Sequence, residues 1–295
     1  MNKLLGYLRL MRPANVVTSV ADVVAGIAIS GYFLSFGLNA QLLPAILLCI
    51  ATIGLYSGGI IYNDVFDAEL DKVERPERPI SSGLVSEQGA AIFGGVLFVI
   101  GIFAAGMYSP ASQYLAAGIM IACLVYNKFL KHNAILGPVN MGLCRGLNLL
   151  LGVSILPSTL HTWWYLAIVP IIYIAAITMI SRGEVHGGSK KTLYFAAALY
   201  AVVIAALLTF AAINGQLPLT TVFVIPFLLM IFLPLIKAIQ NPIGPNIGKA
   251  VKSGVIALIL MNAAWASAFG AWHLAVFIVI LLPISLLLSK AFAVT

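Results

Sequence analysis

The stretch "QLLPAILLCIATIGLYSGGIIYNDVFDAELDKVERPERPISSG" (residues 41–83) joins a long apolar run to the densest run of charge in the protein. Residues 41–62 carry no charged side chain, whereas residues 62–83 hold six of the nine acidic residues of the chain. About 20 apolar residues are enough to cross a bilayer as a helix. The stretch therefore predicts a membrane-spanning helix that ends in a polar site at the membrane surface.

The composition of the whole chain supports a membrane protein. Its 295 residues are 62% hydrophobic and only 8% charged, with a mean hydropathy of +1.07. A soluble globular domain has nearly half apolar residues and about a quarter charged ones. The sequence therefore indicates an integral membrane protein rather than a soluble enzyme.

Continuously apolar runs recur along the chain without the alternation of barrel strands, which favours helices. We expect an all-α, polytopic transmembrane bundle of nine to ten helices in one domain, residues 1–295. The predicted crossings are 15–36, 41–62, 89–108, 112–130, 134–154, 162–181, 191–213, 218–238, 250–269 and 272–292.

The basic residues predict the orientation. With ten crossings, every Lys and Arg except Arg145 falls on one side, and nine crossings would leave Lys290 on the other. The positive-inside rule makes that side, which includes the N-terminus, cytoplasmic. The net charge of +7 is thus explained by topology, and because it is spread over short loops we expect no nucleic-acid partner. The expected location is an integral protein of a bacterial inner membrane.

The acidic run has helical spacing. If the second helix continues beyond the apolar boundary, Asp64, Asp67 and Asp71 lie on one face, with Asn63 four residues before Asp67. Carboxylate and amide oxygens suit Mg²⁺, which also bridges to phosphates. Arg75 and Arg78 would then meet phosphate oxygens. The alternative is a solvated charge cluster held by salt bridges, which we rank second.

These residues resemble a known family. The sequence "NDVFDAELDKVERPERPISSG" is similar to the first aspartate-rich motif of the UbiA superfamily of intramembrane prenyltransferases, with its trailing R-x-x-R-P-I. Residues 8–15, "LRLMRPAN", resemble the opening R-P-x-N of that family. Residues 126–131, "YNKFLK", resemble its tyrosine-lysine motif after the fourth helix. The three motifs occur in the family's order.

The resemblance implies a helical bundle around a central cavity and a Mg²⁺-dependent reaction. Family members bind an isoprenyl diphosphate through Mg²⁺, ionise it and alkylate an acceptor. By this resemblance, cytoplasmic loops 63–88, 126–133, 181–191 and 239–250 form the cap of the active site. The expected metal ligands are Asn63, Asp64, Asp67 and Asp71; the expected catalytic residues are Asp67, Asp71, Tyr126 and Lys131.

The chain departs from the family at the second aspartate-rich motif. In "SRGEVHGGSKKT", Ser181, Glu184 and Gly188 stand where the family carries three aspartates. One remaining carboxylate would hold a second Mg²⁺ weakly. Cationic side chains are the alternative holders of the diphosphate: Arg182, His186, Lys190 and Lys191. A site that has lost catalysis and kept binding is the other interpretation.

Three stretches point to a branch of the superfamily. "NDVFDAELD", "GPVNMGLCRGLNLLLG" (137–152) and "SRGEVHGG" (181–188) look like the UbiA-like membrane protein of the Ebo gene cluster. That branch is associated with the handling of a secondary-metabolite precursor, including its movement across the inner membrane. We therefore keep two hypotheses: transfer of a prenyl group to a small or aromatic acceptor, and non-catalytic binding or transport.

Polar residues inside the apolar runs are candidates for substrate contact. Arg145 lies within the fifth crossing between Asn140 and Asn148, and Asp22 shares a helix face with Asn15 in the first. Charges inside a membrane helix are costly and usually face a cavity with a partner. Arg145 either pairs with Asp22 or contacts an anionic substrate. The full set of predicted substrate-binding residues is Asn15, Asp22, Arg75, Arg78, Arg145, Arg182, Glu184 and Lys190.

Overall fold

A computed structural model describes residues 3–184 and 187–292, and every regular element in this part of the chain is helical. The helices are α1 (Lys3–Met11), α2 (Pro13–Ser30), α3 (Tyr32–Phe36), α4 (Leu42–Phe66), α5 (Ala68–Glu74), α6 (Glu87–Tyr108), α7 (Pro110–Val125), α8 (Leu136–Val153), α9 (Leu160–Trp163), α10 (Ile168–Ser181), α11 (Lys190–Ile213), α12 (Leu217–Gln240), α13 (Gly244–Ala268) and α14 (Trp272–Ala291).

The predicted helical bundle is confirmed. Within the described residues, nine helical segments are long and apolar enough to cross a membrane. The predicted fifth crossing is also a helix, α8, but it lies outside that set because Asn140, Arg145 and Asn148 make it more polar. All ten predicted crossings thus appear as helices.

Helices α2 and α13 form the centre of the bundle. Within an apolar 18-residue stretch of each helix, 83% of the residues are buried in α2 and 72% in α13. In the outer helix α14 the buried share is 17%. Helix α2 packs against α4, α8, α13 and α14. The polar residues within α2 and α8, such as Asp22 and Arg145, are buried inside the protein.

The contact between α2 and α8 depends on two glycines. A methyl group at Gly26 would overlap the backbone carbonyl oxygen of Leu149, and one at Gly152 would overlap that of Val23. Small residues let membrane helices approach closely, which strengthens van der Waals packing where lipid provides no hydrophobic drive. This close approach brings the polar side chains of the two helices within hydrogen-bonding distance.

Two irregular helical segments lie next to the acidic run. Helix α4 ends at Phe66, and Asp67 separates it from the short helix α5. Residues Tyr126–Leu130 form a single π-helical turn after α7. Such π turns are rare and occur often at functional sites.

Candidate functional site

A cavity of about 360 Å³ lies between the helices. Most of its charged lining residues lie at helix ends and in loops, as Arg12, Arg75 and Glu184 do, whereas Arg145 lies within α8. Its apolar lining comes from helix interiors: Leu55, Ile119, Ile174, Ile177 and Leu258. The cavity therefore combines a charged end with a largely apolar interior that also contains Arg145.

The acidic run does not continue as one helix, which corrects the predicted geometry. Asp67 has φ −95° and ψ 2° at the junction between α4 and α5. The backbone bonds from Asp67 N–H to Asn63 C=O (3.0 Å) and from Asp71 N–H to Asp67 C=O (2.8 Å) maintain helical spacing across the junction. Asp67 has a different ion-pair partner from Asp64 and Asp71, so the three carboxylates do not share one cation.

Asp64 and Asp71 are nearly buried and share an arginine. Arg78 Nη1 lies 3.1 Å from Asp64 Oδ1 and 2.6 Å from Asp71 Oδ2. Arg12 Nη2 donates a second bond to Asp64 Oδ1 at 2.8 Å. Asp67 pairs instead with Lys131, from the segment after the π turn. Each of the three aspartates thus pairs with a cation that lies at least seven positions away in the chain.

The donor set fits Mg²⁺, and one observation supports the fit. A single cationic nitrogen of Arg78 already lies between two carboxylate oxygens, so this point accepts positive charge. Asp64, Asp71 and the Asn63 amide offer the oxygen ligands that Mg²⁺ prefers. Within the described residues, no three His, Cys, Asp or Glu side chains are gathered as a ready metal cage. Mg²⁺ would therefore replace arginine contacts rather than enter a vacant cage.

Asn127 connects the acidic run to the π turn, and the sequence argument did not single it out. Its Oδ1 accepts a bond from Asn63 Nδ2 at 3.1 Å, and its own Nδ2 donates to Gly59 C=O at 3.0 Å. Asn127 is 3% exposed. In the sequence, the signal for a role of Asn127 at the site was its position beside Tyr126 in the tyrosine-lysine segment.

Arg12 is a second residue that the sequence argument did not assign to the site. It is the one non-glycine residue with positive φ in the part of the chain that the structure describes, at φ 48°. This conformation is costly for a side chain with a Cβ and persists where surrounding contacts impose it. The ion pair to Asp64 and the following Pro13 at the start of α2 are such contacts.

The buried pair of Asp22 and Arg145 forms the centre of a polar network, as one of the two alternatives predicted. Arg145 donates to Asp22 at 2.6 Å, to Thr18 at 2.8 Å and to Tyr56 at 3.0 Å. Its guanidinium also lies 4.5 Å from the centre of the Tyr56 ring. Arg145 lines the cavity together with Tyr56.

The remaining bonds of this network anchor the acid. Asn148 donates to Asp22 Oδ2 at 3.1 Å, and Asn262 of α13 donates to Asp22 Oδ1 at 2.7 Å. Three helices therefore meet at one carboxylate. Asn140 lies outside the network and bonds to Ala122 C=O at 2.9 Å. Asn15 lines the cavity.

The degenerate second motif places one acid at the cavity. Glu184 Oε1 is buried and accepts no hydrogen bond from the described residues. Burial raises the pKa of Glu184 above its ordinary value, while the positive charges of Arg75 and Arg12 act in the opposite direction. Ser181 also lines the cavity, but its hydroxyl bonds to Thr178 C=O at 2.9 Å.

The predicted cations of the second motif do not gather at the cavity. Arg182 is exposed and donates to the backbone carbonyls of Asn133 and Ala134. Lys190 and Lys191 are exposed at the start of α11. His186 lies outside the described residues. The cations that the structure brings to Glu184 are instead Arg12 and Arg75.

Comparisons with known proteins agree with this fold. A sequence profile of the UbiA prenyltransferase family matches residues 24–252. The digeranylgeranylglyceryl phosphate synthase of Methanothrix thermoacetophila is 33% identical over 145 residues, which is 49% of this chain and 52% of the relative. The chain thus spans about half the length of such relatives in these alignments.

Two solved structures show the same fold. A UbiA homologue from Aeropyrum pernix K1 superimposes with a TM-score of 0.69 at 19% identity, covering 84% of this chain and 96% of that one. A UbiA homologue from Archaeoglobus fulgidus bound to GPP and Mg²⁺ has a TM-score of 0.58 at 14% identity, covering 91% and 99%.

Proposed function

The chain belongs to the UbiA prenyltransferase family, and from that premise we propose that it transfers a prenyl group from an isoprenyl diphosphate to a small acceptor at the membrane. The observation that carries the proposal is the junction of a charged cavity end with an apolar interior. An isoprenyl diphosphate has the same division, with an anionic head and an apolar chain. The predicted cap of loops 63–88, 126–133, 181–191 and 239–250 belongs to this proposal.

The charged end is suited to the head of the substrate. Arg12, Arg75 and Arg78 line the cavity and offer donors to diphosphate oxygens. Asn63, Asp64 and Asp71 would hold Mg²⁺, with Asp67 at the edge of the group. When bound, Mg²⁺ stabilises the negative charge that develops on the departing diphosphate.

The apolar interior is suited to the rest of the reaction. Loss of diphosphate leaves an allylic cation, and water would quench it. Leu55, Ile119 and Ile174 keep that region dry, and a dry site also strengthens the electrostatic contacts of the charged end. The Tyr126 side chain also lines the cavity, where its aromatic face can stabilise positive charge.

We propose that the acceptor binds near Arg145. This guanidinium lines the cavity and is held rigidly by Asp22, Thr18 and Tyr56. A fixed cation selects an acceptor that carries an anionic group. The name of the Methanothrix relative favours a glyceryl phosphate lipid, while the aromatic acceptor expected from the sequence remains the other choice.

The experiment is prenyl transfer by the detergent-purified protein. We would incubate it with geranyl or geranylgeranyl diphosphate, with and without Mg²⁺, and offer geranylgeranylglyceryl phosphate, phenolic and indolic acceptors in parallel. A prenylated product that requires Mg²⁺ supports the proposal and names the acceptor class. Diphosphate binding without transfer to any acceptor contradicts it.

A second candidate is a non-catalytic member that binds or transports a metabolite precursor, as the resemblance to the Ebo-cluster protein implied. The supporting observation is the reduced second motif, in which Glu184 is the one acid. In that case the protein would act in a bacterial inner membrane with its charged loops in the cytoplasm. Uptake into proteoliposomes that survives Asp67→Asn and Glu184→Gln would favour this candidate.

A further inference from the structure

We propose that Arg78 acts as an internal substitute for the metal: it occupies the cation position between Asp64 and Asp71 and keeps Mg²⁺ from binding until diphosphate draws it away. This inference rests on the proposed function for its choice of anion. It concerns the order in which the metal and the diphosphate bind, which neither the fold nor the family membership specifies.

The contacts of Arg78 carry the argument. One nitrogen, Nη1, lies within 3.1 Å of both Asp64 Oδ1 and Asp71 Oδ2. A metal ion that joined the same two carboxylates would need this space. The side chain of Arg78 is only 12% exposed, and those of Asp64 and Asp71 are 5% exposed, so solvent screens these pairs weakly. Arg78 and a divalent cation therefore exclude each other.

Charge balance explains why neither ligand binds well alone. Asp64, Asp67 and Asp71 are compensated by Arg12, Arg78 and Lys131. A metal ion alone would displace Arg78 and leave a partly buried guanidinium without an anion. Diphosphate alone would take Arg78 and leave the buried Asp71 without that cation, while Asp64 keeps only Arg12. Removal of one partner from a buried pair is strongly destabilising, so the two ligands bind together.

Joint binding restores the balance. Diphosphate oxygens accept the bonds of Arg78, and the freed carboxylates hold the metal ion, which also bridges to the diphosphate. Arg78 thus changes partner rather than losing one. A site of this kind stays closed to free Mg²⁺ and becomes competent when the prenyl substrate arrives.

The test is the affinity of Mn²⁺ for the purified full-length protein without any diphosphate, measured by electron paramagnetic resonance of the free ion. We expect weak binding by the wild type and at least tenfold tighter binding by Arg78→Gln. The gain should disappear in the double variant Arg78→Gln/Asp71→Asn, which lacks one of the two carboxylates. Equal Mn²⁺ affinity in wild type and Arg78→Gln would overturn the proposal.

Arg75→Gln is the matched control. Arg75 lines the same cavity and carries the same charge, but within the described residues it forms no salt bridge with an acid. Its removal should change Mn²⁺ affinity by less than threefold. If Arg75→Gln tightens Mn²⁺ binding as much as Arg78→Gln does, general charge and not the bridging contact is responsible, and the proposal fails.

Arg78→Lys is a second variant that tests the proposal even if Arg78→Gln does not fold. Lysine keeps the positive charge but is shorter and lacks the planar fork of arginine, so it reaches the two carboxylates less well. We expect the Mn²⁺ affinity of Arg78→Lys to be at least threefold above that of the wild type. An affinity equal to that of the wild type would contradict the proposal. No isoprenoid is present in these measurements. Their outcome is therefore independent of whether the protein transfers a prenyl group, and the two proposals can fail separately.

Discussion

Arg145 Nη1 and Asp22 Oδ2 lie 2.6 Å apart although 123 positions separate the two residues in the chain. Both side chains are almost fully buried, with exposed fractions of 6% and 2%. The pair joins α8 to α2, and Asn262 attaches α13 to the same carboxylate. The centre of this membrane protein is therefore held by one hydrogen-bonded ion pair.

We expect Asp22→Ala to lower the free energy of unfolding by about 3–5 kcal/mol, since it leaves a buried guanidinium without an anion. Replacement of both partners, Asp22→Leu with Arg145→Met, should cost less than Asp22→Ala alone, because no buried charge remains. Unfolding in mixed micelles of increasing denaturing detergent measures both. A double variant less stable than Asp22→Ala would contradict the assignment.

Gly152→Ala should separate α2 from α8. The added methyl group would overlap the Val23 carbonyl oxygen, and overpacking of this kind costs about 1–3 kcal/mol. Thermal unfolding in detergent measures the loss. Gly118→Ala in α7 is the control, since the nearest side-chain atom, Leu147 Cδ1, lies 3.9 Å from the added methyl group and alanine favours the helix. Equal effects of the two substitutions would refute the close contact.

Asp67→Asn should reduce Mg²⁺-dependent prenyl transfer by about 100-fold or more, as expected for the loss of one electrostatic contact in a dry site. The substitution also releases Lys131, its ion-pair partner. Product formation from geranyl diphosphate measures the effect. Glu69→Gln is the control because Glu69 lies in the same stretch but is exposed and pairs with Lys72. Full activity of Asp67→Asn would show that the Asp67 carboxylate is not needed for the reaction.

Glu184 should make stability depend on pH. Burial raises the pKa of Glu184 in the folded protein above its ordinary value of 4.5, so the folded state binds a proton that the unfolded state releases. The stability that the protonated carboxyl group of Glu184 contributes is therefore lost as pH rises from 4.5 through the raised pKa. The charged groups that face it are Arg75 and Arg12.

We expect Glu184→Gln to gain thermal stability relative to wild type at pH 8 and to gain less at pH 5. Melting temperatures in detergent at the two pH values measure the difference. Glu77→Gln, which changes an exposed carboxylate in the loop after α5, should show no such dependence. A Glu184→Gln advantage that is larger at pH 5 would contradict the direction of the pKa shift.

Local sequence information was sufficient for the helices and for the acidic run. Helix formation by an apolar run depends on its own length and composition, so each of the ten predicted crossings contains a helix, and nine segments of the described residues are apolar enough to span a membrane. The Asp22–Arg145 pair was also predicted as one alternative, because a buried charge in a membrane requires a partner and few acids were available.

The tertiary structure alone decided how the charges are paired. The sequence placed Asp64, Asp67 and Asp71 on one face as joint metal ligands, yet Asp67 pairs with Lys131, while Arg78 and Arg12 pair with the other two. Arg12, Asn127 and Asn262 come from three separate parts of the chain: the junction of α1 and α2, the π turn and α13. Helical periodicity is a local property, whereas the choice of partner depends on how distant helices pack, so spacing along the chain could not reveal it.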